Sequence, residues 1–170
     1  LQEAEQRELE LQRLNELNAR NRRAELEAAA RGGDAQAALD LAVIHEQGES
    51  VPVSAVEASN WYKLAAELGD LNAQIWYVQF VMSRGDVTGD PFILKYLFSL
   101  SDASIPVAQF YLSERYLTGA GVPQDKGKAL MLLKSSADAG YADAQAAIGK
   151  AFQNGSLGRK DYKLSLLYLQ

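Results

Sequence analysis

The stretch ADAGYADAQAAIGKAFQNG, residues 137–155, is built mostly from alanine and glycine and carries little that could do chemistry. Its spacing is what matters. Ala137, Gly140 and Ala144 form an A-x-x-G-x-x-x-A frame, which recurs as Ala30, Gly33, Ala37 and as Ala66, Gly69, Ala73. A degenerate copy reads Ser101, Ser104, Ala108, so the copies lie 36, 35 and 36 residues apart. The following columns stay in phase. Four residues after the last alanine come Leu41, Tyr77, Leu112 and Ile148; eight after it come His45, Val81, Tyr116 and Phe152. Eleven after it come Gly48, Arg84 (with Gly85 beside it), Gly119 and Gly155. Several columns in one register define a repeat protein.

Each repeat reads as two helices. Small or apolar residues at i, i+4, i+5 and i+8 make one packed face of a first helix of about a dozen residues. A glycine stops that helix where the chain turns left-handed. Loops such as GESVPVS (48–54) and GAGVPQD (119–125) lead to second helices carrying EASNWYKLAA (57–66), ILKYLFSLS (93–101), KALMLLKSSA (128–137) and KLSLLYLQ (163–170). The second repeat, with RGDVTGDP (84–91), reads as having a loop one residue shorter. Glycine costs roughly 1 kcal/mol relative to alanine inside a helix, so Gly33, Gly69 and Gly140 are placed between helices, where backbone freedom and crowding require them. Ala37, Ala73, Ala108 and Ala144 let neighbouring helices approach closely.

These residues resemble the Sel-one-like repeat, a relative of the tetratricopeptide repeat. AQFYLSERYLTGAGVPQDKGKAL (108–130) and DAGYADAQAAIGKAFQNG (138–155) carry the likeness most fully. It extends over residues 28–170, about four repeats with the last one truncated. Ala38 replaces the usual glutamine and His45 the usual tyrosine. The resemblance implies an all-α fold, a right-handed α-solenoid of stacked antiparallel helix pairs, and a non-catalytic scaffold that binds a protein or peptide on its concave face. The alternative is a regulatory or localisation segment of a larger enzyme or cell-envelope protein whose active part lies elsewhere. The resemblance favours a bacterial envelope or periplasm over the cytoplasm.

Composition narrows the chemistry. The 170 residues suit one domain with its own core. The net charge is −5, and the basic run Arg20, Arg22, Arg23 reads as a solvated helix face, so nucleic acid is not an expected partner. No apolar run reaches the ~20 residues that span a bilayer, and direct membrane insertion is not expected. With no cysteine and one histidine the usual zinc sets cannot be assembled. His45 reads as a packing residue in the column of Tyr116 and Phe152. GDVTGD (85–90) lacks EF-hand spacing, and no P-loop, dinucleotide fingerprint or nucleophile elbow occurs. No cofactor or catalytic residue is expected.

Residues 1–31 contain 13 charged residues and neither proline nor interior glycine, the pattern of a single long helix. Residues 1–27 form its charged leader, and AELEAAA (24–30) takes the place of a second helix that caps the first repeat. Leu11, Leu14 and Leu17 make a short apolar stripe, followed by Asn18 and Asn21; a short coiled-coil dimer is the alternative reading of this leader. The start at Leu1 and the stop within an apolar pattern read as a piece of a longer chain.

A candidate binding face lies opposite the packing columns of the first helices. It comprises Ile75, Trp76, Gln79 and Met82 in the second repeat, and Phe110, Tyr111, Glu114 and Leu117 in the third. The matching positions of the fourth, Ala146, Ala147, Lys150 and Gln153, are small or polar. Trp76 and Tyr111 would anchor a partner while Gln79, Glu114 and Arg115 set its orientation. The competing expectation is that these side chains fill space between adjacent helices.

Overall fold

A computed structural model describes residues 2–85, 91–156 and 160–168. Among them are nine α-helices and no strand: α1 (Gln2–Arg31), α2 (Ala35–Gln47), α3 (Ala55–Glu67), α4 (Leu71–Ser83), α5 (Pro91–Asp102), α6 (Pro106–Thr118), α7 (Lys126–Asp138), α8 (Ala142–Asn154) and α9 (Tyr162–Tyr168). This is the all-α helical-repeat solenoid class, with α1 as the long leader and helix pairs after it. The helices divide into two compact bodies, residues 1–77 and 78–170, and the division falls within α4.

The first helices end as the glycine column requires. Gly48, Gly119 and Gly155 are left-handed C-caps, with φ of 79°, 76° and 75°. The loop after each is held by one backbone bond. The N–H groups of Ser54, Asp125 and Asp161 donate to the carbonyls of His45, Tyr116 and Phe152, each at 2.9 Å. The same residues cap the next helix: Ser54 accepts from Glu57 N at 3.2 Å, Asp125 from Lys128 N at 2.9 Å and Asp161 from Lys163 N at 3.0 Å. The loop of the second repeat, read as one residue shorter, runs through residues 86–90. Residues 86–90, most of the acidic GDVTGD segment, lie outside the described residues.

The turns between repeats explain the opening stretch. At Gly140, N–H donates to Ala137 O at 2.9 Å and Tyr141 N–H to Ser136 O at 3.1 Å. Gly33 and Asp34 repeat the pair with Ala30 and Ala29 at 3.1 and 3.0 Å. This is the Schellman arrangement, which places its C′ residue in the left-handed region, and φ is +101° at Gly33 and +88° at Gly140. Ser104 holds the same place, bonded to Ser101 O at 2.9 Å with φ +60°. Crowding plays no part: a Cβ added at Gly33, Gly69 or Gly140 would meet nothing within 4 Å. Glycine is needed there for its backbone alone, whereas close approach falls to the alanines, with Ala73, Ala108 and Ala144 fully buried and Ala37 nearly so.

In the first body, α1 packs on α2 and α2 on α3. Only the last third of α1 takes part: Ala30 is buried, and Ala19, Arg23, Leu26 and Glu27 are half-buried on one stripe, while residues 2–18 are exposed throughout. Leu39, Leu41, Ala58 and Ala65 form the core between α2 and α3, and the Tyr62 hydroxyl donates to Glu46 at 2.8 Å. In the second body α5 to α9 pack successively around Ile93, Leu97, Leu100, Leu112, Leu133 and Ile148. Ser136 Oγ donates to Pro106 O at 2.6 Å, tying α7 to the start of α6.

Candidate functional site

The face opposite the packing columns divides into open and closed parts. On α4, Trp76 is 45% exposed and Gln79 is exposed, Ile75 and Met82 are half-buried, and Tyr77 and Phe80 are buried. On α6 the equivalent aromatics turn inward: Phe110 and Tyr111 are buried, and so is Arg115, leaving Glu114 exposed. Phe110, Tyr111 and Arg115 are therefore enclosed within the second body rather than presented on its surface. On α8, Lys150 and Gln153 are exposed and Ala146 and Ala147 half-buried.

Tyr141, which precedes α8, closes over the α6 aromatics. Its ring lies 5.4 Å from that of Phe110, which lies 5.2 Å from that of Tyr111. The Tyr141 hydroxyl is hydrogen-bonded to Tyr111 and to the Asp143 carboxylate. Burial first, then the Tyr111 and Asp143 neighbours, push the Tyr141 phenol well above its ordinary range. Burial also raises Tyr111, with the Tyr141 hydrogen bond working against it. Burial raises the Glu114 carboxyl, opposed by the Arg115 charge and reinforced by Asp143. Burial lowers the Arg115 guanidinium, with Glu114 opposing, and Arg115 Nη2 reaches Met82 Sδ at 3.5 Å. The second body thus presents acidic side chains at the rim of a closed aromatic cluster.

A feature that column reading missed lies in the first body. A cavity of about 450 Å³ opens beside α1, α3 and the α2–α3 loop, with Arg23, Glu27, Arg31, His45, Pro52 and Trp61 among its walls. Glu27 sits between Arg23 at 3.9 Å and Arg31 at 3.4 Å, so the charges at its mouth are largely compensated. His45 Nδ1 and Trp61 Nε1 are buried without a hydrogen-bond partner, and each is sealed beneath the surface. His45 is therefore half-buried packing with an orphaned nitrogen. The i, i+4, i+8 spacing of Arg23, Glu27 and Arg31 was the available signal for the mouth. Nothing in the sequence pointed to Trp61.

Among the described residues no three His, Cys, Asp or Glu side chains come together to hold a metal, and no helix is long and apolar enough to cross a membrane. The described geometry is that of packed, capped helix pairs, and the comparisons with known proteins concern that architecture. The chain is similar to a Sel1 repeat protein from Oxalobacter formigenes: 27% identity, TM-score 0.65, covering 85% of this chain and 58% of that one. It is also similar in fold to c5321, a protective antigen present in uropathogenic Escherichia coli strains displaying an SLR fold: 24% identity, TM-score 0.69, covering 84% of this chain and 31% of that one. The chain thus spans less than two thirds of either solved relative. No curated protein matches it. The Sel1 repeat model matches residues 35–70, 106–141 and 142–170, more than half of the chain. With the repeat turns and capped helix pairs described above, this chain belongs to the Sel1 repeat family.

Proposed function

We propose that the chain is a non-catalytic scaffold that binds a partner protein or peptide through exposed residues of its first helices, with Trp76 as the anchor. Sel1 repeat proteins generally mediate protein–protein interaction. The observation that carries the finer reading is the exposure of Trp76, 45% open on a helix whose other aromatics are buried. Tryptophan offers a large rigid apolar surface with one donor, and such residues dominate binding energy where they are accessible. Gln79, exposed three residues further along the same helix, supplies a polar contact that orients the partner.

The test is selection of binding peptides from a displayed library against the full chain, followed by titration of the selected peptides into Trp76→Ala. Binding weakened at least about tenfold with melting little changed supports the assignment. Peptides that bind Trp76→Ala as tightly as the parent move the site elsewhere.

A further inference from the structure

The exposed part of α1 carries two features that the repeat array does not use. Leu11, Leu14 and Leu17 are 59%, 52% and 52% exposed. At 100° per residue they share one face of the helix, turned roughly 150° from the stripe that packs on α2. A helical stretch this long and unsupported is marginal by itself, so its leucine face calls for a partner.

Charge identifies that partner. Residues 2–10 contain Glu3, Glu5, Glu8 and Glu10 against Arg7, whereas residues 11–23 contain Arg13, Arg20, Arg22 and Arg23 against Glu16. The helix is acidic in its first part and basic in its second. A second copy lying parallel would set the glutamates against one another. Lying antiparallel, it would set acidic against basic. We infer that two copies of this chain associate through an antiparallel pairing of their α1 helices, with the twofold axis at Leu14. In that register Leu11 faces Leu17 of the second copy, and the acidic stretch Glu5–Glu10 lies at the level of residues 18–23 of the second copy, which carry Arg20, Arg22 and Arg23. Asn18 and Asn21 end the apolar seam, which keeps it short and the association dependent on concentration.

The chain contains no cysteine, so single-cysteine variants report this geometry directly. In full-length protein under mild oxidation, Leu14→Cys should cross-link to itself. Leu11→Cys should cross-link to Leu17→Cys in a mixture at least about tenfold faster than either does alone. The reason is axial offset: two copies of residue 11 would lie about 9 Å apart along the seam, beyond the ~7 Å that a disulfide spans. Sedimentation velocity should show a dimer that Leu14→Glu weakens about tenfold or more, with circular dichroism and melting of the repeats unchanged. Efficient self-cross-linking of Leu11→Cys would show parallel pairing and overturn the proposal. A parent chain that stays monomeric up to about millimolar concentration would overturn it as well.

Discussion

Helices α4 and α6 occupy the same place in successive repeats, and each carries an aromatic residue three positions after its repeat alanine. Trp76 is 45% exposed and Tyr111 is 7% exposed. The length of their own helices does not account for the difference, since both have 13 residues. Tyr111 is covered by Tyr141, the residue that caps the following first helix. The corresponding cap after the second repeat is Ile105, which has no ring and no hydroxyl. Within the second body, the burial of Tyr111 is thus set by the following repeat as much as by the helix that bears the side chain.

The largest effect should come from emptying the two aromatic positions. Tyr111→Ala should destabilise by about 3 kcal/mol, because it leaves a cavity beneath Tyr141 and removes one of that hydroxyl's two hydrogen-bond partners. Trp76→Ala should cost less than about 1.5 kcal/mol, since nearly half its surface is already in water. Denaturant unfolding of the two variants would measure both, and equal losses would break the comparison.

The turns come next. Gly140→Val should cost about 2 kcal/mol, all of it from forcing a β-branched residue to φ +88°, since its Cβ meets no neighbour. Ser104→Gly should raise stability by up to about 1 kcal/mol, because serine there bears the left-handed conformation that glycine carries freely. If Ser104→Gly were destabilising, its turn would not be equivalent to that at Gly140. Tyr141→Phe removes only the hydroxyl and should cost about 1 kcal/mol.

The smallest effect is alkaline. The Tyr111 and Tyr141 phenols are both raised on folding, so the folded chain holds their protons more tightly than the unfolded chain. Their contribution to stability is complete below pH about 10, where unfolded tyrosine stays protonated, and is lost as the pH climbs through the raised folded values. Unfolding titrations from pH 9 upward should show this decline, shallower in Tyr141→Phe. An unchanged slope in that variant would remove Tyr141 from the linkage.

Much of this architecture was legible because it depends on short-range spacing. The frame of Ala137, Gly140 and Ala144 located the turns, and the column of Gly48, Gly119 and Gly155 located the ends of the first helices. Even Ser104 fell into register, although a serine does not announce a positive φ. The fates of Trp76 and Tyr111 were not legible, since helical periodicity describes one helix and the deciding residue lies 30 positions from Tyr111. The burial of Arg115 depended likewise on neighbours outside its own helix. His45 was placed correctly by its column, but its orphaned ring nitrogen depends on the particular cavity around it.

The backbone bond across the α2–α3, α6–α7 and α8–α9 loops also makes these loops a place for engineering. Because His45 O and Ser54 N hold the ends together, the residues between Gly48 and Ser54 can be exchanged or lengthened while the α2–α3 pair keeps its alignment. Doubling a flexible loop costs only about 0.6 kcal/mol in closure entropy, a small charge against a closure fixed at both ends. In the α6–α7 loop the exchange must spare Gly121, where an added Cβ would come within 2.7 Å of Leu94 Cδ1. The α2–α3 and α6–α7 loops are in that sense short, separately replaceable display segments.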